Sequence, residues 1–402
     1  MLVPLEEARR AVDAAPIRSP RVVSTSVTGA LGKLAGAAVT AREPLPREKR
    51  SAMDGYAVRL VPGRPVVVFV LRAGLLRSTG PANFALAEGE ASPIATGLPL
   101  PKGANAVVRA EAALVQGNAL RLRQAARPGQ DVLEPGEVME RGERILQRGE
   151  PVGAVHVGAL LAQRMRSIPT YRIRTAIAPI GDEVLRPGSR SPDGVPDFLS
   201  PIIANLLGFA EVRVLPPTVD DRSRVGRVLE AASRRSDLLF TIGGSSVGPK
   251  DVTKAAIRDV GRLLFEGVSA NVLKRGAVGF VRRTPVVVLP GQVVSAVASF
   301  HEHGLHVLAR MVGREIRHYE DVTLAREVLA DHRMDSVYLF RVTGGVATPL
   351  PWGVARMMGL LQANAFGLLA HGRRYLAGES LRVQRLWSSG DPGPGAPVTA
   401  PR

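Results

Sequence analysis

From Arg172 onward the chain alternates short, unbroken apolar runs with helical patterns, and this alternation limits the fold more than any other feature. Residues 173–180 read as a buried strand, 198–207 as a helix and 212–215 as a strand. A helix follows over 225–233, a strand over 238–242 and a helix over about 250–260. A third strong strand over 285–289 leads into a long helix over 294–311. Strands alternating with helices predict a parallel sheet covered on both faces. Elsewhere the pattern differs. Residues 51–130 are strand-rich, with turn residues between short apolar runs, and 322–388 return to strand-like runs, including 336–342 and 380–386. A helical pattern over 155–165 separates these regions.

Five segments could carry chemistry. In Ser51-Ala52-Met53-Asp54-Gly55-Tyr56-Ala57-Val58, a carboxylate before glycine either presents oxygens to a cation or ligand, or is an Asp-Gly turn between strands. Residues 94–108 place the hydroxyl of Thr96 beside Gly97 ahead of a Pro-rigid loop. Asp237 to Gly248 is a strand followed by the loop Gly243-Gly244-Ser245-Ser246-Val247-Gly248, and a helix comes next. Such a loop is either an anion site of backbone N–H groups at a helix start or a tight turn. Residues 286–296 repeat strand, turn and helix through Pro290-Gly291, a second loop for the same sheet edge, where ligands of open α/β sheets bind. Ile180-Gly181-Asp182-Glu183 closes the first strand of the sheet. Its paired acids suit either a divalent cation such as Mg²⁺ or a helix start.

Composition removes whole classes. With no cysteine there are no disulfides, thiolate metal sites or cysteine nucleophiles. The net charge of +17 admits an anionic partner, yet 47 of the 53 basic residues are Arg and they are scattered rather than blocked. Aromatics at 4% give no stacking platform, so nucleic acid is not the expected partner. There is no leader-like apolar stretch at the start and no membrane span, so the chain reads as soluble and cytoplasmic. His301, His303 and His306 suggest a metal cluster, but residues two apart on a helix point roughly 200° away from each other. They read as solvated helix histidines, and Met357-Met358 with Leu360-Leu361 as core.

Taken in order, these segments resemble the molybdopterin molybdenumtransferase family, the molybdenum insertases that include the carboxyl-terminal domain of gephyrin. The resemblance covers about residues 1–388 and extends to Arg127-Pro128-Gly129-Gln130-Asp131, Gln362-Ala363-Asn364-Ala365 and Gly378-Glu379. It implies a multidomain α/β plus β fold, elongated and four-domained, with a central parallel-sheet molybdopterin-binding domain and a β-rich C-terminal domain. Residues 1–48 plus 132–169 would form a composite linker and dimerisation domain, 49–131 the strand-rich second domain, 170–315 the molybdopterin-binding domain and 320–388 the last, with 389–402 a disordered tail. It further implies a homodimer, a possible molybdopterin adenylyltransferase partner, and an active cleft shared between subunits. The implied reaction is Mg²⁺-dependent insertion of molybdate (or tungstate) into adenylylated molybdopterin with AMP release.

Carried over position by position, Asp54, Thr96, Asp131, Glu183 and Lys274 fall on catalytic positions. Gly243, Gly244, Ser246, Gly248, Pro290, Gly291 and Ser295 fall on the cofactor-binding loops. Glu183, Asp220 and Asp251 fall on metal-holding acids. The departures fall mostly in the third domain. The threonine before Gly-Asp-Glu is Ile180, the Asp-Ser-Asn segment has no counterpart near Pro196-Asp197-Phe198, and Lys-Pro-Gly-Lys-Pro reads Asn271-Val272-Leu273-Lys274-Arg275. Pro-Gly-Asn-Pro reads Pro290-Gly291-Gln292-Val293, and serines of the last domain become Met357-Met358-Gly359. These losses open an alternative, a catalytically impaired paralogue that binds molybdopterin or a partner protein.

Overall fold

The computed structural model describes residues 2–61, 63–64, 66–72, 84–186, 189, 191–245, 251–351 and 353–386. The expected tail, 389–402, lies outside the described residues, as do Ser246 and Gly248. The chain gathers into two compact units, residues 39–145 and residues 1–38 with 146–402.

The smaller unit is built on a six-stranded sheet, in the order Ala106–Arg109, Gly55–Val58, Glu90–Ile94, Val68–Leu71, Ala119–Leu122 and Ala113–Gln116. Gly55 is opposite both Ile94 and Arg109. A Cβ at Gly55 would lie 1.9 Å from the Val108 carbonyl oxygen, so only glycine lets the three strands close here.

The larger unit contains the sheet expected from the alternation. Its order is Glu211–Val214, Arg174–Ile180, Leu238–Gly243, Thr284–Leu289, Ala277–Val281 and Gly261–Phe265. The first four strands run parallel. Ala277–Val281 runs antiparallel to both of its neighbours, which the sequence reading does not anticipate. The reason is local: the two-residue turn Arg282-Arg283 joins neighbouring strands directly and can only make a hairpin. The apolar runs are unbroken because both faces are covered. Ile177, Phe240 and Val287 enter a core shared with Ile203, Val293 and Leu308. Their neighbours Ala176, Leu239 and Val286 enter a second core with Val225, Leu229 and Ile257. That division is the period of two expected of a strand.

Residues 21–38 return to the segment after 146. Arg21–Ser26 pairs antiparallel with Ser167–Arg172, and Leu34 bridges Pro151. Toward the C-terminus, five strands close into a ring. Asp335–Thr343 pairs with Val346–Pro349 and with Ala365–Leu369, and Tyr319–Leu324 pairs with Val346–Pro349 and with Ser380–Arg385. Ser380–Arg385 then meets Ala365–Leu369, so the barrel leaves no open edge.

Three expectations are overturned. The helix over 294–311 is not continuous. It runs Val293–Ser299, widens into a π-helical turn over Phe300–Gly304, and resumes as Leu305–Val312. On it, His301, His303 and His306 are buried rather than solvated. The helix lies between the sheet, the N-terminal helix Leu5–Asp13 and the barrel, so each ring meets a different neighbour. His301 stands edge-on to Phe300 and Phe366, His303 edge-on to Phe265, and His306 bonds the Asp13 carboxylate at 2.9 Å. Glu302 is buried among them and held by Arg9 and Arg317. Met357, Met358 and Leu361 are exposed, not core, because their six-residue helix buries only Gly359.

Candidate functional site

The smaller unit brings together three segments far apart in sequence. Asp54 precedes Gly55, and its carbonyl accepts from the Ala110 amide. One carboxylate oxygen, Oδ1, accepts from both the Thr96 amide at 2.7 Å and the Thr96 hydroxyl at 2.9 Å. Those two bonds hold the Asp54 carboxyl below the ordinary aspartate range although it is exposed. Gly97 follows with φ +80°, the left-handed turn that lets Thr96 double back. Asp131 sits at φ 52°, a conformation aspartate tolerates, and its carbonyl accepts from Ala52. Arg109 grips the Asp131 carboxylate through Nε at 3.0 Å and a terminal nitrogen at 2.9 Å, lowering that pKa too. Arg109 escaped the sequence reading. Its signal was present as a lone cation ending a strand, 22 residues from its acid.

The larger unit gathers its candidates along the carboxyl edge of the sheet. Glu183 follows the strand Arg174–Ile180, and Asp220 follows Glu211–Val214. Gly243 and Gly244 end Leu238–Gly243, while Pro290 and Gly291 end Thr284–Leu289. Lys274 reaches the same edge from the other direction, because Ala277–Val281 runs antiparallel and begins opposite Val288. The glycines are sterically required. Gly243 has φ +88°, and a Cβ there would lie 2.3 Å from the Ile180 carbonyl oxygen. Gly244 has φ +60°, and a Cβ would meet the Thr253 hydroxyl at 2.4 Å and Ile180 Cγ2 at 2.7 Å. Gly291 lies against Gly243, within ordinary contact. Ile180, where a hydroxyl is expected, is buried in the second core.

The acids of this edge fall into two groups. The Asp220 amide donates to the Asp182 carboxylate at 3.0 Å, and the Gly181 amide donates to the Thr218 carbonyl, which ties the two loops together. Partial desolvation, with the charges of Asp182 and Glu183 adding to it, raises the Asp220 carboxyl above the ordinary range. No arginine or lysine among the described residues pairs with Asp182, Glu183 or Asp220. Asp251 stands apart in role. It caps the helix Val252–Val260 by accepting from the Lys254 amide at 3.2 Å, and its other oxygen pairs with the buried Lys254 ammonium at 2.9 Å. Lys274 is exposed, and Ser295 is buried inside the helix Val293–Ser299. Just before Lys274, Val272 is held at φ 73°, an outlier for a β-branched residue, where the expected segment carries Pro-Gly.

A hard cation fits this donor set chemically, since three oxygen acids accumulate charge without a counterion. Among the described residues no three acid or histidine side chains stand close enough to chelate by themselves.

Two family models match the chain. Residues 3–163 match the family model "MoeA N-terminal region (domain I and II)", and residues 176–310 match "Probable molybdopterin binding domain". Molybdopterin molybdenumtransferase 2 of Mycobacterium tuberculosis is 31% identical over 312 residues, covering 74% of this chain and 76% of the relative. Molybdopterin molybdenumtransferase of Haemophilus influenzae is 27% identical over 277 residues, covering 67% and 68%. Among solved structures, the molybdopterin biosynthesis moeA protein of Pyrococcus horikoshii superposes with a TM-score of 0.79, covering 96% of this chain and all of that one. Their identity is 22%, so that likeness speaks to fold alone.

Proposed function

The chain belongs to the molybdopterin molybdenumtransferase family of molybdenum cofactor biosynthesis, and on that footing we propose that it inserts molybdenum from molybdate into adenylylated molybdopterin with release of AMP. The observation that carries this reading is the uncompensated trio Asp182, Glu183 and Asp220, set on the same sheet edge as the glycine pair Gly243-Gly244. One feature calls for a cation and the other for a phosphate.

The roles follow from the chemistry of each group. Gly243 and Gly244, with the turn at Pro290-Gly291, let backbone amides approach the pterin phosphate closely. Ser246 and Gly248, on the same loop, join that assignment. Glu183 and Asp220, with Asp182, would hold Mg²⁺, which when bound offsets phosphate charge. The Asp251 oxygens are engaged by the helix cap and Lys254 and stand in reserve. Asp54, fixed by Thr96, stays ionised and can order the water that attacks the adenylate phosphorus. Asp131, fixed by Arg109, supports that acid set. Lys274, exposed at the sheet edge, supplies a point cation for molybdate or phosphate. Ser295, buried in the helix that follows the Pro290 turn, is assigned to supporting that turn.

The chain is proposed to work as a homodimer. Val155 and Leu161 leave apolar surface exposed on the helix Ala154–Ala162, with Val155 at 85%. An adenylyltransferase partner and a cytoplasmic site of action complete the reading. No helix among the described residues is long and apolar enough to cross a membrane.

A second reading, a paralogue that binds molybdopterin without turning it over, is favoured by one observation. Ile180 fills a core position where the family carries a hydroxyl, and Gly244 packs directly on it. Incubating the protein with Mg²⁺, molybdate and adenylylated molybdopterin separates the two. AMP release supports insertion, and pterin binding without AMP supports the paralogue.

A further inference from the structure

We propose that the larger unit carries a second anion site, in a cleft of about 940 Å³ between the strand Glu211–Val214 and the helix Arg222–Ser233, built for a compact ligand with two or more phosphate groups. This proposal does not depend on the insertion reading.

Six exposed guanidinium groups line the cleft: Arg186, Arg213, Arg224, Arg227, Arg234 and Arg235. Glu230 is the only acid lining it among the described residues. None of the six pairs with a carboxylate among the described residues. Their neighbours do: Arg222 holds Asp259, Arg172 holds Glu211 and Arg174 holds Asp237. The six therefore share one cleft without a carboxylate partner among the described residues.

Helix geometry aligns them. At 100° per residue, positions 224, 227 and 234 fall within about 80° of one another, spread over roughly 15 Å of axis. Arg224 stands in the first turn, where the helix dipole disfavours a cation. The helix does not account for that charge, but an anion in the cleft does. Arginine's planar fork matches phosphate oxygens two at a time.

The floor is apolar, formed by Leu215, Pro216, Pro217 and Val228. A concave site of this size, with an apolar floor and a charged rim, suits a small molecule with a non-phosphate body. No aromatic side chain among the described residues lines it, which gives no stacking platform of the kind single-strand binders use. Its wall also bears on the acidic edge. Thr218 and Val219 line the cleft, Thr218 bridges Ile180, and the next residue is Asp220.

The test is calorimetric titration of the full chain with inorganic tripolyphosphate at low ionic strength. Saturable binding at one site per chain is expected. Arg224→Ala with Arg227→Ala should weaken it at least about tenfold, since hydrogen bonds to charged groups are lost. Arg121→Ala with Arg141→Ala, which removes the same charge from the smaller unit, should leave it unchanged. Absence of saturable heat, or equal loss in both double variants, overturns the proposal. So does the finding that a short single-stranded DNA, and not tripolyphosphate, binds and responds to Arg224 and Arg227.

Discussion

Thr96 gives both of its hydrogen-bond donors, amide and hydroxyl, to a single oxygen of Asp54, across 42 residues of sequence. The other Asp54 oxygen is left for substrate or water. The acid is thus fixed and kept ionised by its partner rather than by burial.

Thr96→Val removes the hydroxyl donor and keeps the amide. The Asp54 carboxyl should then titrate higher, toward the ordinary aspartate value, in an NMR titration of the side chain. The depressed pKa stabilises the fold above the unfolded-state pKa, and that contribution disappears as pH falls through the folded value. An unchanged Asp54 titration in the variant would show that the hydroxyl contributes nothing.

Gly244→Ala tests the phosphate loop. The left-handed backbone alone costs about 1–2 kcal/mol, and the new methyl would strike the Thr253 hydroxyl and Ile180. Thermal unfolding should show the destabilisation, and molybdopterin affinity should fall with it. Wild-type stability and affinity together would mean the loop is not held as described.

Asp220→Asn separates the desolvation cost of this carboxylate, with the repulsion from Asp182 and Glu183 added to it, from cation binding. The raised Asp220 pKa means that ionising this group works against folding, so stability falls as pH rises through that pKa. Without divalent cation, the variant should melt at or above the wild-type temperature. Adding Mg²⁺ should raise the wild-type midpoint by mass action and leave the variant's unmoved. Equal Mg²⁺ responses would remove Asp220 from the cation site.

His303 supplies a stability signature in the core. Burial lowers its pKa from 6.5 to about 4, so it is neutral in the fold at pH 7. The unfolded chain takes up the proton first as pH falls. Stability is full above about 6.5 and erodes toward 4, by roughly 3 kcal/mol from this group, at 1.36 kcal/mol per pKa unit. Urea unfolding at pH 7 and pH 5 should show a smaller drop for His303→Leu than for wild type. Equal drops would place the proton uptake elsewhere.

The parallel half of the central sheet was legible because full burial leaves an unbroken apolar run, as in residues 238–242. Its far edge was not, since Gly261–Phe265 is short, begins with glycine and arginine, and is only partly buried. The motifs at Asp54, Thr96 and Asp131 could be found one by one, but their convergence depends on strand register at Gly55. The histidines were misjudged for a related reason. Divergent directions on a helix rule out a shared metal, yet they say nothing about solvent when neighbours cover every side. Asp251 shows the limit of carrying a role by position, because its oxygens serve its own helix and Lys254.

The central claim is that this chain still performs the insertion despite Ile180 and the altered lysine segment. Its most direct test is AMP release from adenylylated molybdopterin by the purified full chain with Mg²⁺ and molybdate. The account predicts AMP release that needs all three components and falls at least about a hundredfold in Asp54→Ala, the lower end of what one positioned acid–base group supplies. No AMP from wild-type protein that demonstrably binds the pterin would contradict it.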